Sequence, residues 1–324
     1  MIHCSDGVKL VKNNVKTIRL EVEQREYDGE SHNVIAELPG KKEEWIVLTA
    51  HYDTTSLSHG AYDNMSGCAG LLGIMEYMKD KERNYGLRFV FCGSEERGLL
   101  GSKAYVEDHE AELEKIVFNI NLDMIGTYMG KFIACASEEE KLANYISYMA
   151  AETGFPVAAE TGVYSSDSTP FADKGIPAVS FARLAGGTVA PIHCRYDVKE
   201  VMSMEQLQKD IDFLILFTDR FTNAAVCPVK REIPEDVKKQ LDEYLFRKRK
   251  EAEKESSDSD HEPDTTVLSY LVFSWKRAPA AFFSMEINRL TSYYLQSILS
   301  VKKSQRISLL RNKEEQRKNE EKNV

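Results

Sequence analysis

The chain has 324 residues, of which 42% are hydrophobic, so it is long enough to bury one large core or two ordinary ones. The formal charge of -10 argues against nucleic acid as a partner, because phosphate binding needs a basic surface. The six cysteines are scattered without a CxxC pair, so neither a cysteine zinc module nor a disulfide framework is indicated.

The sequence does not show the pattern of a signal peptide or of a transmembrane helix. The first residues lack the basic and apolar regions of a signal peptide, and no apolar run reaches the roughly 18 residues of a transmembrane helix. We therefore expect a soluble chain without a transmembrane segment. It would be cytoplasmic as given, and secreted if its amino terminus is truncated.

Strand and helix patterns alternate along most of the chain. Alternating apolar and polar side chains predict strands at residues 15–26 and 32–40, and a continuous apolar run predicts a doubly buried strand at residues 44–50. Further strands are predicted at residues 87–96, 116–126, 131–137 and 175–183, and helices at residues 67–80, 101–113, 137–154 and 203–224. The predicted fold is α/β, with a mostly parallel mixed central sheet flanked by helices on both faces.

The composition changes after this region. We predict one α/β domain over residues 1–226, a charged helix and acidic linker over residues 227–264, and a basic tail over residues 265–324. The tail is interpreted as a helical or disordered extension. Three alternatives stay open for it: a helix that binds a partner, an anchor at a membrane surface, or a segment with no folded role.

Polar side chains follow three of the predicted strands at the points where the strands end. His51 and Asp53 follow the first, Glu95 and Glu96 follow the second, and Asp123 closes the third. Ligands of parallel sheets sit beyond the carboxyl ends of the strands, so these side chains are expected to converge on one rim. Zinc accepts histidine nitrogen and carboxylate oxygen, which makes the rim a candidate metal site.

Neighbouring residues in these motifs suit different tasks. Consecutive residues such as Glu95 and Glu96 point in different directions, so one can bind metal while the other acts as general base. His51 can bind metal while Asp53 holds its other ring nitrogen. Two metals that share a carboxylate need a larger set, and the sequence offers His51, Asp63, Glu95, Glu96, Asp123 and His193.

Six motifs occur in a characteristic order: HYDT, GAYDNMSG, GSEERGLLGS, NLDMIG, SSDSTPFADKGIPAVSF and PIHCRYD. Over about residues 30 to 225 they resemble the di-zinc aminopeptidase and glutamate carboxypeptidase family of metallopeptidases. The basic tail lies outside the resemblance.

The resemblance implies a role for each motif residue. It implies two Zn2+ per chain that are bridged by Asp63, and Glu95 as the general base. One zinc ion would also bind His51 and Asp123, and the other Glu96 and His193. Asp53 would support His51, and the peptide bond between Asp63 and Asn64 would be cis.

Some residues depart from the family pattern or keep two interpretations. Ser168 stands where relatives more often have histidine, which puts any role of that histidine in doubt. Tyr164 and Tyr196 are candidates either for a hydrogen bond to an oxyanion or for a structural role. Arg183 could bind a substrate carboxylate or form a structural ion pair, and Asp197 is interpreted as orienting the His193 loop.

The function predicted from these motifs is zinc-dependent hydrolysis of the amino-terminal peptide bond of a peptide substrate. The alternatives are a carboxypeptidase, a glutaminyl cyclase of the same architecture, or a non-catalytic binding domain. A cyclase site with one zinc ion would not need both His51 and Asp123, and binding relatives tend to lose ligands that this chain keeps. The amino-terminal residues resemble the exit from a protease-associated domain, which suggests a shortened member. The oligomeric state and the preferred side chain are not predicted.

Overall fold

The computed structural model describes residues 4–19, 21, 23 and 28–247 of the chain. The described residues divide into two compact units, the first of residues 4–19, 21 and 23 and the second of residues 28–247. In the first unit the described residues include helix α1 (Cys4–Lys12), which the sequence pattern did not predict.

The strand predicted at residues 15–26 is not present in its described part, because residues 15–19, 21 and 23 have no strand geometry. Ile18 is 62% exposed, so the alternation does not cover a core there. The rest of that stretch, the acidic linker and the basic tail lie outside the described residues, and the domain limits at residues 226 and 264 stay predictions.

Seven strands form one sheet in the second unit: β1 (Val34–Leu38), β2 (Trp45–His51), β3 (Gly86–Cys92), β4 (Ile116–Leu122), β5 (Lys131–Ala136), β6 (Ala158–Thr161) and β7 (Ala178–Leu184). Their order in the sheet is β1-β3-β2-β4-β7-β5-β6. Strand β1 is antiparallel to β3 and β5 is antiparallel to β7, while the other neighbours are parallel. The prediction of a mostly parallel mixed sheet is confirmed.

Helices cover both faces of the sheet. One face carries α2 (Met65–Met78), α4 (Glu140–Thr153) and α6 (Met204–Asn223), and the other carries α3 (Leu100–Asp108) and α5 (Thr169–Asp173), against which α7 (Glu235–Tyr244) packs. Strand β2 shows why both faces need cover. Ile46 and Leu48 enter the core on one side, Val47 enters the core on the other, and all three are fully buried.

The sheet sets the position of the site. Strands β3, β2 and β4 are parallel neighbours, and His51 at the end of β2 pairs with Cys92 at the end of β3. Strand β7 is parallel to β4, so the loop after it leaves from the same edge. Of the described helices, none is long and apolar enough to cross a membrane.

Candidate metal centre

The loop before α2 carries Asp63 and is tied to the end of β4. Asn64 caps α2 by accepting the backbone N–H of Gly67 at 2.9 Å, and it donates to the carbonyl of Leu122 at 2.9 Å. A side chain at Gly67 would meet that carbonyl at 2.4 Å, so only glycine permits this close approach. The peptide bond between Asp63 and Asn64 is cis, as the resemblance implies.

Two groups of metal-capable atoms share the carboxylate of Asp63. In one group, His51 Nε2 lies 3.2 Å from Asp63 Oδ1 and 3.5 Å from Asp123 Oδ1. In the other, His193 Nε2 lies 3.1 Å from Asp63 Oδ2 and 3.0 Å from Glu96 Oε2. The five residues for which the sequence predicts metal binding are therefore brought together, with one Asp63 oxygen in each group.

The donor atoms fit zinc. A tetrahedral ion with bonds of about 2.0 Å requires its donors to lie about 3.3 Å apart. The distances from Nε2 to carboxylate oxygen span 3.0 to 3.5 Å. Asp123 Oδ1 and Glu96 Oε1 are also buried and have no hydrogen-bond partner among the described residues, which is costly unless a cation contacts them.

Asp53 contacts His51 in a different way from the prediction. The Nδ1 atom of His51 lies 3.1 Å from the backbone carbonyl of Asp53 but 3.6 Å from its carboxylate. The carboxylate instead accepts the backbone N–H groups of Glu95 at 2.9 Å and Glu96 at 3.2 Å. A proton on Nδ1 leaves Nε2 of His51 free for metal, and the same residue fixes the turn that holds both glutamates.

Glu95 lies beside the two groups rather than in them. It begins a short 3-10 turn, Glu95–Arg97, after Ser94 in the left-handed region at φ 58°. Its Oε2 atom is 3.9 Å from His51 Nε2. Burial raises the pKa of Glu95 to about 8, and the carboxylates of Asp167 and Asp123 add to that effect.

The centre is strongly acidic and buried. Burial alone would lower the pKa of His51, but the nearby carboxylates of Asp123, Asp53 and Asp63 outweigh it and raise that pKa well above the usual value. Several carboxylates thus converge around one histidine ring, which is an arrangement that suits a bound metal cation.

Asp167 is a buried acid for which the sequence analysis proposed no role. It is 1% exposed, and neither carboxylate oxygen has a hydrogen-bond partner within the described part of the chain. Burial raises the pKa of Asp167 to about 6, whereas the charge of nearby His51 opposes that rise. A signal was available in the sequence, since Asp167 belongs to the motif SSDSTPF that carries the resemblance.

Tyr164, Tyr196 and Ser168 differ in their surroundings. Burial raises the pKa of Tyr164, and Asp123 contributes, so this tyrosine lies beside the centre. Tyr196 is 57% exposed and its hydroxyl accepts a hydrogen bond from Arg195. Ser168 contacts the hydroxyl of Ser180 at 2.8 Å in a buried serine cluster.

Arg183 forms a structural ion pair. Its guanidinium group donates to both carboxylate oxygens of Asp210 on α6, at distances of 2.6 to 3.1 Å, and it also donates to the carbonyl of Gly130. The described structure thus shows Arg183 engaged within the fold.

Comparison with known proteins gives a consistent result. A model of peptidase family M28 matches residues 33–217. Aminopeptidase YwaD of Bacillus subtilis is 37% identical over 211 residues, which cover 60% of this chain and 44% of that protein. Leupeptin-inactivating enzyme 1 of Streptomyces exfoliatus is 33% identical over 154 residues, which cover 45% of this chain and 34% of that protein.

Solved structures show the same likeness. BSAP, a zinc aminopeptidase from Bacillus subtilis, superposes with a TM-score of 0.54 at 29% identity, covering 63% of this chain and 53% of that one. A glutaminyl cyclase from an Acidobacteriales bacterium has a TM-score of 0.51 at 24% identity, covering 58% and 73%, which shows a shared fold. The chain spans about half the length of the first of these relatives.

Proposed function

The chain belongs to peptidase family M28, and on that premise we propose that it is a zinc-dependent exopeptidase that removes the amino-terminal residue of peptides. The observation that carries the proposal is the pair of donor groups that share Asp63, with Glu95 beside them. The names of the relatives, two of which are aminopeptidases, support the same activity.

In the proposed site, His51, Asp63 and Asp123 hold one zinc ion, and Asp63, Glu96 and His193 hold the other. Zinc supplies Lewis acidity, which lowers the pKa of a water molecule and polarises the peptide carbonyl. Glu95 takes a proton from the attacking water and returns it to the leaving amine.

The electrostatics favour the amino end of a substrate. The carboxylates in or against the centre outnumber the positive charges that two zinc ions supply; they are Asp53, Asp63, Glu95, Glu96, Asp123, Asp167 and Asp197. The remaining negative charge favours a substrate ammonium group over a carboxylate. Arg183, the candidate for binding a substrate carboxylate, is paired with Asp210.

The test uses one short peptide in three forms, with a free amino terminus, an acetylated amino terminus and an amidated carboxyl terminus. Each is incubated with the zinc-loaded protein in the presence and absence of a chelator. We expect cleavage of the free and the amidated forms, no cleavage of the acetylated form, and loss of all cleavage with chelator.

Other results identify the alternatives. Cleavage that needs the free carboxylate would indicate a carboxypeptidase. Cyclisation of an amino-terminal glutaminyl peptide without hydrolysis would indicate a glutaminyl cyclase. A folded, zinc-loaded protein that converts none of these peptides would contradict an enzymatic function and favour a binding role.

A further inference from the structure

Asp197 is a fully buried acid that lies on the same loop as His193 but contacts the loop of Asp63. Its Oδ1 atom accepts the backbone N–H of Tyr62 at 2.7 Å, and its Oδ2 atom accepts the backbone N–H of Asp63 at 3.1 Å. Both carboxylate oxygens are therefore used on the segment that ends in the shared metal-binding carboxylate.

The backbone of Asp197 completes the connection. Its N–H donates to the carbonyl of Cys194 at 3.1 Å, which closes the turn directly after His193, and its carbonyl accepts the N–H of Ala61 at 3.4 Å. One residue thus joins the turn that carries His193 to the loop that carries Asp63.

The two histidines of the centre are held differently. The ring of His51 is 2% exposed and its Nδ1 atom contacts the carbonyl of Asp53. The side chain of His193 is 52% exposed, and within the described part of the chain its Nδ1 atom has no hydrogen-bond partner. The backbone of His193 is in the left-handed region at φ 56°, so the position of its ring depends on the turn that follows.

We propose that Asp197 is a positioning residue that sets the affinity of one of the two metal sites, the site formed by Asp63, Glu96 and His193. Asp197 holds the backbone of the His193 turn close to Asp63. This backbone connection takes the place of a contact to the ring nitrogen, such as the one between His51 Nδ1 and the carbonyl of Asp53. The site of His51, Asp63 and Asp123 shares Asp63 but takes no ligand from the His193 turn, so it depends less on Asp197. The inference rests on the proposed two-zinc function.

The experiment measures zinc content and zinc affinity by chelator competition in the full chain. Asp197→Asn keeps the size of the side chain but presents an amide donor to one of the two backbone N–H groups. We expect the variant to bind the zinc ion of the Asp63, Glu96 and His193 site about 10- to 100-fold more weakly, the range for partners that orient metal ligands. The other zinc ion should lose less affinity, because only its shared ligand Asp63 contacts Asp197.

Two single variants and two double variants identify the weakened site. His193→Ala should lose the same zinc ion as Asp197→Asn, so combining the two changes should cause little further loss. Combining Asp197→Asn with His51→Ala should weaken the zinc ion that His51→Ala alone retains. This pattern of non-additivity separates a specific connection from a general effect.

Glu138→Gln is the matched control. Glu138 is also buried and accepts a backbone N–H, that of Leu142 at 3.2 Å, but it follows the end of β5. Strand β5 is antiparallel to β7, so this end lies at the opposite edge of the sheet from the centre. The control should keep both zinc ions even if its melting temperature falls.

Three results would overturn the inference. Asp197→Asn with two zinc ions of native affinity would show that Asp197 has no such role, and equal weakening of both ions would show a general structural role. A wild type that binds fewer than two zinc ions would contradict the two-zinc proposal itself, and the inference with it. If Asp197→Asn does not fold, Asp197→Glu, which keeps the charge but changes the reach, is measured instead, with the same expected selectivity.

Discussion

Asp53 and Glu95 are joined by a hydrogen bond in which the backbone N–H of Glu95 donates to Asp53 Oδ1 at 2.9 Å. The second oxygen accepts the N–H of Glu96 at 3.2 Å. The proposed base and a proposed metal ligand are therefore positioned by one carboxylate, which itself follows His51 by two residues.

Asp53→Ala should impair both functions of the Glu95–Glu96 turn. We expect zinc affinity to fall about 10- to 100-fold, because the turn that carries Glu96 loses the carboxylate that accepts its backbone N–H. We also expect kcat to stay low when zinc is saturating, because Glu95 is no longer fixed. Full recovery of kcat at saturating zinc would show that Asp53 acts through metal binding alone.

Glu95→Gln tests the general base. The amide has nearly the same shape and cannot take a proton, while the metal ligands are unchanged. We expect both zinc ions to remain bound and kcat to fall by about 100- to 10,000-fold. Zinc content and peptide hydrolysis are measured on the same sample, and turnover near the wild-type rate would rule out this role.

Arg183→Met tests the interpretation of Arg183 as structural. The change leaves the buried carboxylate of Asp210 without its partner, which costs about 3–5 kcal/mol of unfolding free energy. The double variant Arg183→Met, Asp210→Leu should recover much of that loss, as measured by chemical denaturation. A selective rise in KM for peptides with a free carboxylate, relative to amidated ones, would instead place Arg183 in the substrate site.

Asp167→Asn should change how the stability of the zinc-free protein depends on pH. Burial raises the pKa of Asp167 from 3.8 to about 6, so folding disfavours its ionised form. The cost is absent below the unfolded value, grows as the pH rises from 3.8 to about 6, and is fully present above that range. The variant should be more stable than the wild type at about pH 8, by about 3 kcal/mol, and not at about pH 4. A difference that does not vary with pH would contradict this explanation.

The sequence predicted most of the sheet because its central strands are continuous apolar runs. Strands β2 and β4 are buried on both faces, and that burial leaves a clear signal. Strand β6 has 4 residues and helix α5 has 5. Segments this short do not show a recognisable repeat of apolar and polar side chains. Residues 15–19 show the reverse case, since alternation without a partner strand did not produce a strand.

The site could be predicted as a set of residues but not as a set of contacts. The motifs identify which side chains belong together, and the ends of parallel strands explain why they meet. They do not reveal that the carboxylate of Asp53 binds backbone N–H groups, because backbone partners leave no side-chain pattern.

One buried ion pair did leave a signal. Asp210 lies three residues after Leu207 and four before Leu214, so it falls on the apolar face of α6, where an acid needs a partner. The sequence alone could not show that Arg183 is that partner.

The most direct measurement is a crystal structure of the zinc-loaded protein with anomalous scattering at the zinc edge. We expect two zinc ions per chain, one contacting His51 and Asp123, the other contacting Glu96 and His193, and both contacting Asp63. A single zinc ion at full occupancy, or a second ion that does not contact Asp63, would contradict this expectation.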